Sequence, residues 1–204
     1  MTITKIKEHD KKRLDIYIDY EHAFFLYKSE VRKMGLKEGE EISEDVYREI
    51  VIDILQKRAT LRAMNLLQKR DYTVYKLREK LKDGGYPLEC VDNAIRYVES
   101  YGYLDDNRYA RDYITYNMSS KSMLKIKTDL LAKGIDKDII DSQMQSVYES
   151  ENTSPEREQI KKLLIKKHYD EDMTFEEKQK IKSYLYRKGY SIDLINSVIN
   201  ESFL

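Results

Sequence analysis

Three segments of the chain share one spacing of apolar residues around a glycine, and this repeat limits the fold more than any other feature. The segments are LREKLKDGGYPLECV at 77–91, IKTDLLAKGIDKDII at 126–140 and IKSYLYRKGYSIDLI at 181–195. In each, the glycine follows a leucine by four residues and another apolar residue by eight. The three glycines (Gly85, Gly134, Gly189) lie 49 and 55 residues apart, which leaves room for three short helices per unit. The spacing predicts a tandem array of three-helix units.

A glycine can take the left-handed conformation that closes a helix, and the apolar residue after it can then pack on the last turn. Thr73 and Ser122 lie twelve residues before the first two glycines, where a helix N-cap is expected. The sequence therefore predicts a mainly α fold, in which three three-helix repeats form an elongated, curved solenoid with a continuous core between neighbours. Such an array offers a long surface for binding and does not suggest a pocket.

The N-terminal region has a different pattern. In RLDIYIDY, Leu14, Ile16 and Ile18 alternate with polar or tyrosine residues, which is the period of a half-buried strand. The flanking ITKIK and AFFLYKS are also strand-like, with EHDKK as a hairpin turn and a short helix ending near Gly35. The predicted domains are a small module containing a β-hairpin at 1–42 and three-helix repeats at 43–102, 103–150 and 151–204.

A long amphipathic helix is predicted over residues 44–70, with Ser43 as its N-cap. Its expected buried stripe, at about 100° per residue, is Ile52, Leu55, Ala59, Ala63 and Leu66.

Composition limits the setting. The chain has 204 residues, of which 36% are charged, and this level suits elongated helical proteins. A lone cysteine, Cys90, excludes an internal disulfide and fits a reducing compartment. No run of about 18 apolar residues occurs, so a soluble, cytoplasmic protein without a membrane span is expected.

No catalytic motif is found. The chain lacks a P-loop, GxGxxG, HExxH and GxSxG, and its three histidines are scattered. Cys90 occupies a repeat position held elsewhere by Ile139 and Leu194, which favours a core residue over a nucleophile. The pair Asp105–Asp106 fits a helix cap better than a metal site, because adjacent helical residues do not converge on one ion. We predict a protein that is not an enzyme and holds no metal or cofactor.

The neutral total of 37 basic and 37 acidic residues hides an uneven distribution. Residues 57–82 hold nine lysines and arginines against two acids, whereas residues 136–158 hold seven acids against two bases. Helical spacing places three of these cations, Arg58, Arg62 and Lys69, on one ridge of the long helix. The candidate binding residues are Arg58, Arg62, Lys69, Arg70, Lys76, Arg78 and Lys80. The ridge can neutralise phosphates, meet an acidic protein surface, or simply be a solvated helix face.

Tyrosines lie among these cations. Tyr72, Tyr75 and Tyr86 can pack helix joints or stack on unpaired bases, and packing is the more common use.

Three motifs in order resemble a known family. YGYLDDNRYARDYI followed by LKIKTDLLAKGI resembles the central segment of the bacterial RecX regulatory proteins, and RDYTVYKLREKL resembles their first unit. The resemblance covers about residues 45–200, and the strand-bearing N-terminus resembles extensions of longer members. The region TYNMSSKSM lacks the Arg and Gly that members often carry, and Asp129 replaces the commoner Glu. These departures leave the first repeat as the expected polar contact.

The resemblance implies tandem three-helix repeats and a non-catalytic regulator. Such a protein binds in the groove of the RecA–DNA filament and modulates, usually inhibiting, recombinase, ATPase and coprotease activity. The implied partners are the RecA filament and its single-stranded or duplex DNA, and a monomer suffices for the array. The alternative is a transcriptional regulator of helix-turn-helix type, since helices at 73–84 and from Pro87 flank a Gly-Gly turn. A purely structural helical adaptor is a third possibility.

Overall fold

An antiparallel sheet of three strands begins the chain, in the order β1-β2-β3. The computed structural model describes residues 1–149 and 155–202. The strands are β1 (Ile3–Glu8), β2 (Arg13–Ile18) and β3 (Glu21–Tyr27). The β1–β2 turn forms at the predicted place, where Asp10 accepts hydrogen bonds from the backbone N–H groups of Lys12 and Arg13. These bonds help to lower the pKa of Asp10 to about 2.

Helices make up the rest of the chain as far as it is described, so the predicted mainly α class with a small N-terminal β module is confirmed. The helices are α1 (Lys28–Lys33), α2 (Glu44–Arg48), α3 (Lys57–Leu67), α4 (Val74–Lys82), α5 (Leu88–Ser100), α6 (Asp106–Asn117), α7 (Met123–Ala132), α8 (Lys137–Glu149), α9 (Pro155–Lys166), α10 (Phe175–Arg187) and α11 (Ile192–Ser202). A π-helical segment, Glu49–Gln56, joins α2 to α3.

The π-helical segment corrects the predicted buried stripe of the long helix. Ile50, Val51 and Leu55 are buried, whereas Ile52, which was expected on the stripe, is 53% exposed. A π turn closes between residues i and i+5, so the buried side changes phase through the segment. The stripe returns to α-helical spacing at Ala59.

All three repeat glycines are left-handed, with φ of +75°, +79° and +96° at Gly85, Gly134 and Gly189. After α7, the N–H of Ile135 donates to the carbonyl of Leu130, and the same pattern follows α10. These paired bonds satisfy carbonyl groups that the helix end leaves free. The predicted N-caps are also confirmed. The Thr73 hydroxyl accepts from the Lys76 N–H, and the Ser122 hydroxyl accepts from the Lys125 N–H.

Two compact units divide the chain, Met1–Asp105 and Asp106–Leu204. In the first unit, the sheet and the first repeat share one core, which includes Ile3, Phe24 and Leu77. The predicted boundaries at 42 and 102 stay predictions, and the boundary at 150 lies outside the described residues.

The second unit has two apolar clusters, one in each repeat, so the expectation of a continuous core does not hold there. Polar contacts join the two repeats instead. The Ser122 hydroxyl donates to the carbonyl of Lys188 at 2.7 Å, and the Gln159 side chain donates to the carbonyl of Met118. The Tyr190 hydroxyl completes the link by donating to Gln159 at 2.6 Å. These groups are buried or partly buried, so each needs its partner.

Gly85 should tolerate a side chain worse than Gly102. Both are left-handed glycines at a helix end, but a Cβ on Gly85 would lie 3.0 Å from Phe25, whereas nothing lies within 4 Å of one on Gly102. We expect Gly102→Ala to lower the free energy of unfolding by about 1–2 kcal/mol. Gly85→Ala should cost about 1–3 kcal/mol more through overpacking. Urea denaturation measures both, and equal losses would contradict the contact with Phe25.

Candidate functional site

Five of the seven predicted cations lie exposed on the first repeat. We set aside Lys80, which has an acidic neighbour, and call the other four the basic surface: Arg62, Lys69, Arg70 and Lys76. The opposite side of α3, with Ala59, Ala63 and Leu66, is buried in the core. Amphipathic burial therefore turns Arg62 of α3 to solvent, while Lys69 and Arg70 follow the end of α3 and Lys76 lies on α4. Within residues 1–149 and 155–202, none of the four forms an ion pair.

Two tyrosines support the basic surface. The Arg70 guanidinium lies 4.7 Å from the ring centre of Tyr72, and the Lys76 ammonium lies 5.0 Å from that of Tyr75. A ring holds a cation by its quadrupole and leaves the charge available to an anion. Tyr72 also packs against the core, whereas Tyr75 is exposed. The predicted packing role therefore applies to Tyr72 and not to Tyr75.

Arg58 is more buried than the residues of the basic surface, although helical spacing predicts it on the same ridge as Arg62. Its side chain is only 17% exposed and pairs with Glu30 of α1. The guanidinium lies 4.6 Å from the ring centre of Tyr27 and 5.6 Å from that of Phe25. Glu30, Tyr27 and Phe25 belong to the N-terminal module. The spacing of residues along α3 cannot predict contacts with this module. Arg58 therefore fastens the module to the first repeat.

The other two predicted cations have acidic neighbours. Arg78 of α4 donates a hydrogen bond to Asp92 of α5, and this bond lowers the pKa of Asp92. Lys80 lies 3.8 Å from Asp83, and both side chains are largely exposed. An exposed pair of this kind contributes little to stability and can exchange partners.

The second repeat differs because three of its lysines are paired with acids. Asp129 of α7 lies 2.9 Å from the Lys121 ammonium and 2.7 Å from that of Lys125, and it accepts a hydrogen bond from the Tyr113 hydroxyl. Bonds from Lys125 and then Lys121 hold the pKa of Asp129 well below its usual range. Lys127 pairs with Asp141. Three lysines of the second repeat are therefore neutralised within the protein, whereas the exposed Arg111 and Lys137 form no ion pair in the described part of the chain.

Cys90 is buried in the core of the first unit, as its repeat position predicted. Its thiol donates a hydrogen bond to the carbonyl of Val51 in the π-helical segment, at 3.6 Å. Burial, followed by the nearby charge of Glu89, raises the pKa of the Cys90 thiol to about 11. A neutral, enclosed thiol is a poor nucleophile.

The described part of the chain holds no group of three or more His, Cys, Asp or Glu side chains that could bind a metal ion. None of its described helices is both long enough and apolar enough to cross a membrane. That the protein is not an enzyme and holds no metal or cofactor stays a prediction.

A small sheet followed by consecutive three-helix units defines a helical-repeat protein. Comparisons with known proteins then identify the family to which it belongs. Family models match nearly the whole length. The matches are the regulatory protein RecX N-terminal domain over 1–43, and the first, second and third RecX three-helix domains over 59–97, 105–142 and 155–199.

Relatives and solved structures agree. The regulatory protein RecX of Caldanaerobacter subterraneus subsp. tengcongensis is 33% identical over 169 residues, which cover 82% of this chain and 84% of the relative. That of Clostridium acetobutylicum is 32% identical over 153 residues, 74% of this chain and 71% of the relative. A crystal structure of regulatory protein RecX covers 98% of both chains at 25% identity, with a TM-score of 0.66. RecX from Lactobacillus salivarius, at 23% identity and a TM-score of 0.63, shares the fold over 74% of this chain and 97% of its own. The chain belongs to the RecX family of regulatory proteins.

The placement of Arg58 predicts a role in stability. Arg58→Ala removes a partly buried ion pair and two ring contacts and leaves Glu30 without its partner, so we expect a loss of about 2–4 kcal/mol in the free energy of unfolding. Arg62→Ala, one turn along α3 and exposed, should change it by less than about 0.5 kcal/mol. Urea denaturation compares the two, and similar small effects would show that Arg58 does not fasten the module.

The environment of Cys90 predicts a protected thiol. At pH 8.5, modification by a thiol reagent should be slow in the folded protein and fast in urea, because folding encloses the thiol and raises its pKa. The folded-state pKa exceeds the ordinary value of 9.0, so the thiol lowers the free energy of unfolding as the pH rises from about 9 to about 11. Fast modification in the folded state, without loss of structure, would contradict burial.

Proposed function

We propose that this chain regulates the RecA recombinase by binding the RecA–DNA filament, and that its direction of action is inhibition of recombinase, ATPase and coprotease activity. Membership of the RecX family supports RecA as the partner. The regulator acts by binding, as a cytoplasmic monomer, and carries out no chemistry of its own.

The basic surface carries the proposal for the contact. Arg62, Lys69, Arg70 and Lys76 are exposed cations without an ion pair in the described part of the protein, whereas Lys121, Lys125 and Lys127 of the second repeat already face Asp129 and Asp141. Unpaired cations release counterions from phosphates on binding, and this favours association with DNA. We therefore propose that the first repeat contacts phosphates of the filament DNA.

A helix-turn-helix regulator is not favoured. Family membership points elsewhere, and the helix that would enter the major groove has an acid in its first turn in every repeat. These residues are Glu89 in α5, Asp138 in α8 and Asp193 in α11. Carboxylates at this position would face the phosphates and weaken binding.

The combined variant Arg62→Ala, Lys69→Ala, Arg70→Ala and Lys76→Ala tests this contact. We expect weaker inhibition of the DNA-dependent ATPase of RecA from the same cell, titrated below one-to-one stoichiometry. The slope of log affinity for DNA against log salt should fall in magnitude by up to about 3, since each phosphate contact accounts for about 0.7–0.9.

A matched control removes the same charge elsewhere in the first unit. Lys5, Lys7, Lys11 and Lys33 are exposed and have no ion pair in the described part of the chain. Their replacement by Ala should preserve inhibition and the salt slope. If the control and the basic-surface variant lose affinity equally, total charge and not this surface governs binding. If the unaltered protein leaves the ATPase rate of RecA unchanged, the proposal that it regulates RecA is wrong.

A further inference from the structure

The outward side of α10 in the third repeat is exposed and carries a groove. Leu185 is buried in the repeat's core, and Ile181 and Tyr184 pack beside it. The opposite side presents residues at spacings of four, four and three (Phe175, Gln179, Ser183, Tyr186). Two adjoining shallow depressions follow this side and share Gln179, Ser183 and Arg187 as lining residues.

Apolar side chains stand at both ends of this groove. Phe175, at one end, is 75% exposed, and Tyr186 and Ile192, at the other, are 62% and 43% exposed. Exposed aromatic side chains around a depression are typical of protein contact sites. Buried Tyr and Arg residues often dominate the affinity of such contacts, and Arg187 lines both depressions.

The charge of the groove indicates the chemistry of its partner. Its charged lining residues are Glu176, Lys180, Lys182 and Arg187, so the net charge is +2. In the described part of the chain, Lys180 and Arg187 form no ion pair. Lys182 donates only to the neutral Asn196 side chain, at 2.9 Å. A partner that covers the groove therefore needs acidic groups to pair with these cations.

We propose that this groove, lined by Phe175, Ser183, Tyr186 and Arg187, docks an acidic peptide segment of a partner protein through two apolar anchors. Phe175 and Tyr186 are eleven residues apart on one helix, a distance of about 16 Å along its axis. A partner helix of about three turns spans this length, with one anchor beside Phe175 and the other beside Tyr186 and Ile192.

A protein segment fits the groove better than nucleic acid. The exposed apolar area at both ends suits aliphatic or aromatic side chains, which a peptide supplies. The groove is a second contact site, independent of the basic surface, because it lies in the third repeat.

Fluorescence anisotropy with three dye-labelled helical peptides tests the proposal on the full-length protein. The first carries Leu anchors eleven residues apart among Glu and Asp, the second has Lys and Arg in place of the acids, and the third has Ser in place of the anchors. We expect the first to bind at least about tenfold more tightly than either other peptide.

Variants then test whether the peptide binds at the groove. Phe175→Ala, Tyr186→Ala and Arg187→Glu should each weaken binding of the acidic peptide by about tenfold or more. The matched controls Ile165→Ala and Lys166→Glu change exposed residues of α9 outside the groove lining and should leave it unchanged. The basic-surface variant should also bind the peptide normally, so failure of the first-repeat contact and failure of this groove give different results. Unchanged thermal unfolding verifies that each variant is folded.

Several outcomes would overturn the proposal. These are no binding of the acidic peptide up to about 1 mM, equal binding of the basic peptide, or equal loss in the α9 controls. If the α10 variants instead abolish binding of a thymidine oligonucleotide, the groove is a nucleic-acid site. If they abolish self-association seen by sedimentation, the occupant is a second copy of this chain.

Discussion

The left-handed glycine that closes the second helix of each repeat is the constraint on which the rest of the fold depends. At Gly85, Gly134 and Gly189 the chain turns so that the third helix, which begins three residues after the glycine, can pack back on the second. Any other residue there would strain the backbone by about 1–2 kcal/mol. Two of these turns also lie against a neighbour, Gly85 on Phe25 of the sheet and Gly189 on the Ser122 hydroxyl. Glycine therefore meets two requirements at these turns, because it adopts the left-handed conformation and has no side chain to clash with the neighbouring residue.

The two units pack their parts differently. In the first unit the sheet and the first repeat pack around one apolar core, and the Arg58–Glu30 ion pair also joins the N-terminal module to the repeat. In the second unit the repeats meet through directed hydrogen bonds, in which Gln159 both donates and accepts. Apolar contact tolerates small shifts, whereas a buried hydrogen bond lost on either side leaves an unsatisfied polar group. The joint between the second and third repeats is therefore specific in its geometry.

Internal ion pairing decides which charges are available to a partner. The second repeat uses Lys121, Lys125 and Lys127 to neutralise Asp129 and Asp141, while the first repeat leaves Arg70 and Lys76 beside tyrosine rings. The third repeat leaves Lys180 and Arg187 beside exposed aromatic side chains. The first pattern suits phosphates, and the second suits an acidic partner with apolar anchors. A regulator with both could contact nucleic acid and protein at different repeats.

The sequence by itself determined the class of fold, because glycine turns, caps and helical spacing are local signals. It predicted the N-caps at Thr73 and Ser122, the strands and the buried Cys90. Tertiary structure alone decided the π-helical phase that exposes Ile52, since backbone hydrogen bonding and not composition sets the number of residues per turn. It also separated Arg58 from Arg62. Both fit one helical ridge, but aromatic and acidic groups of the N-terminal module, distant in sequence, enclose only Arg58.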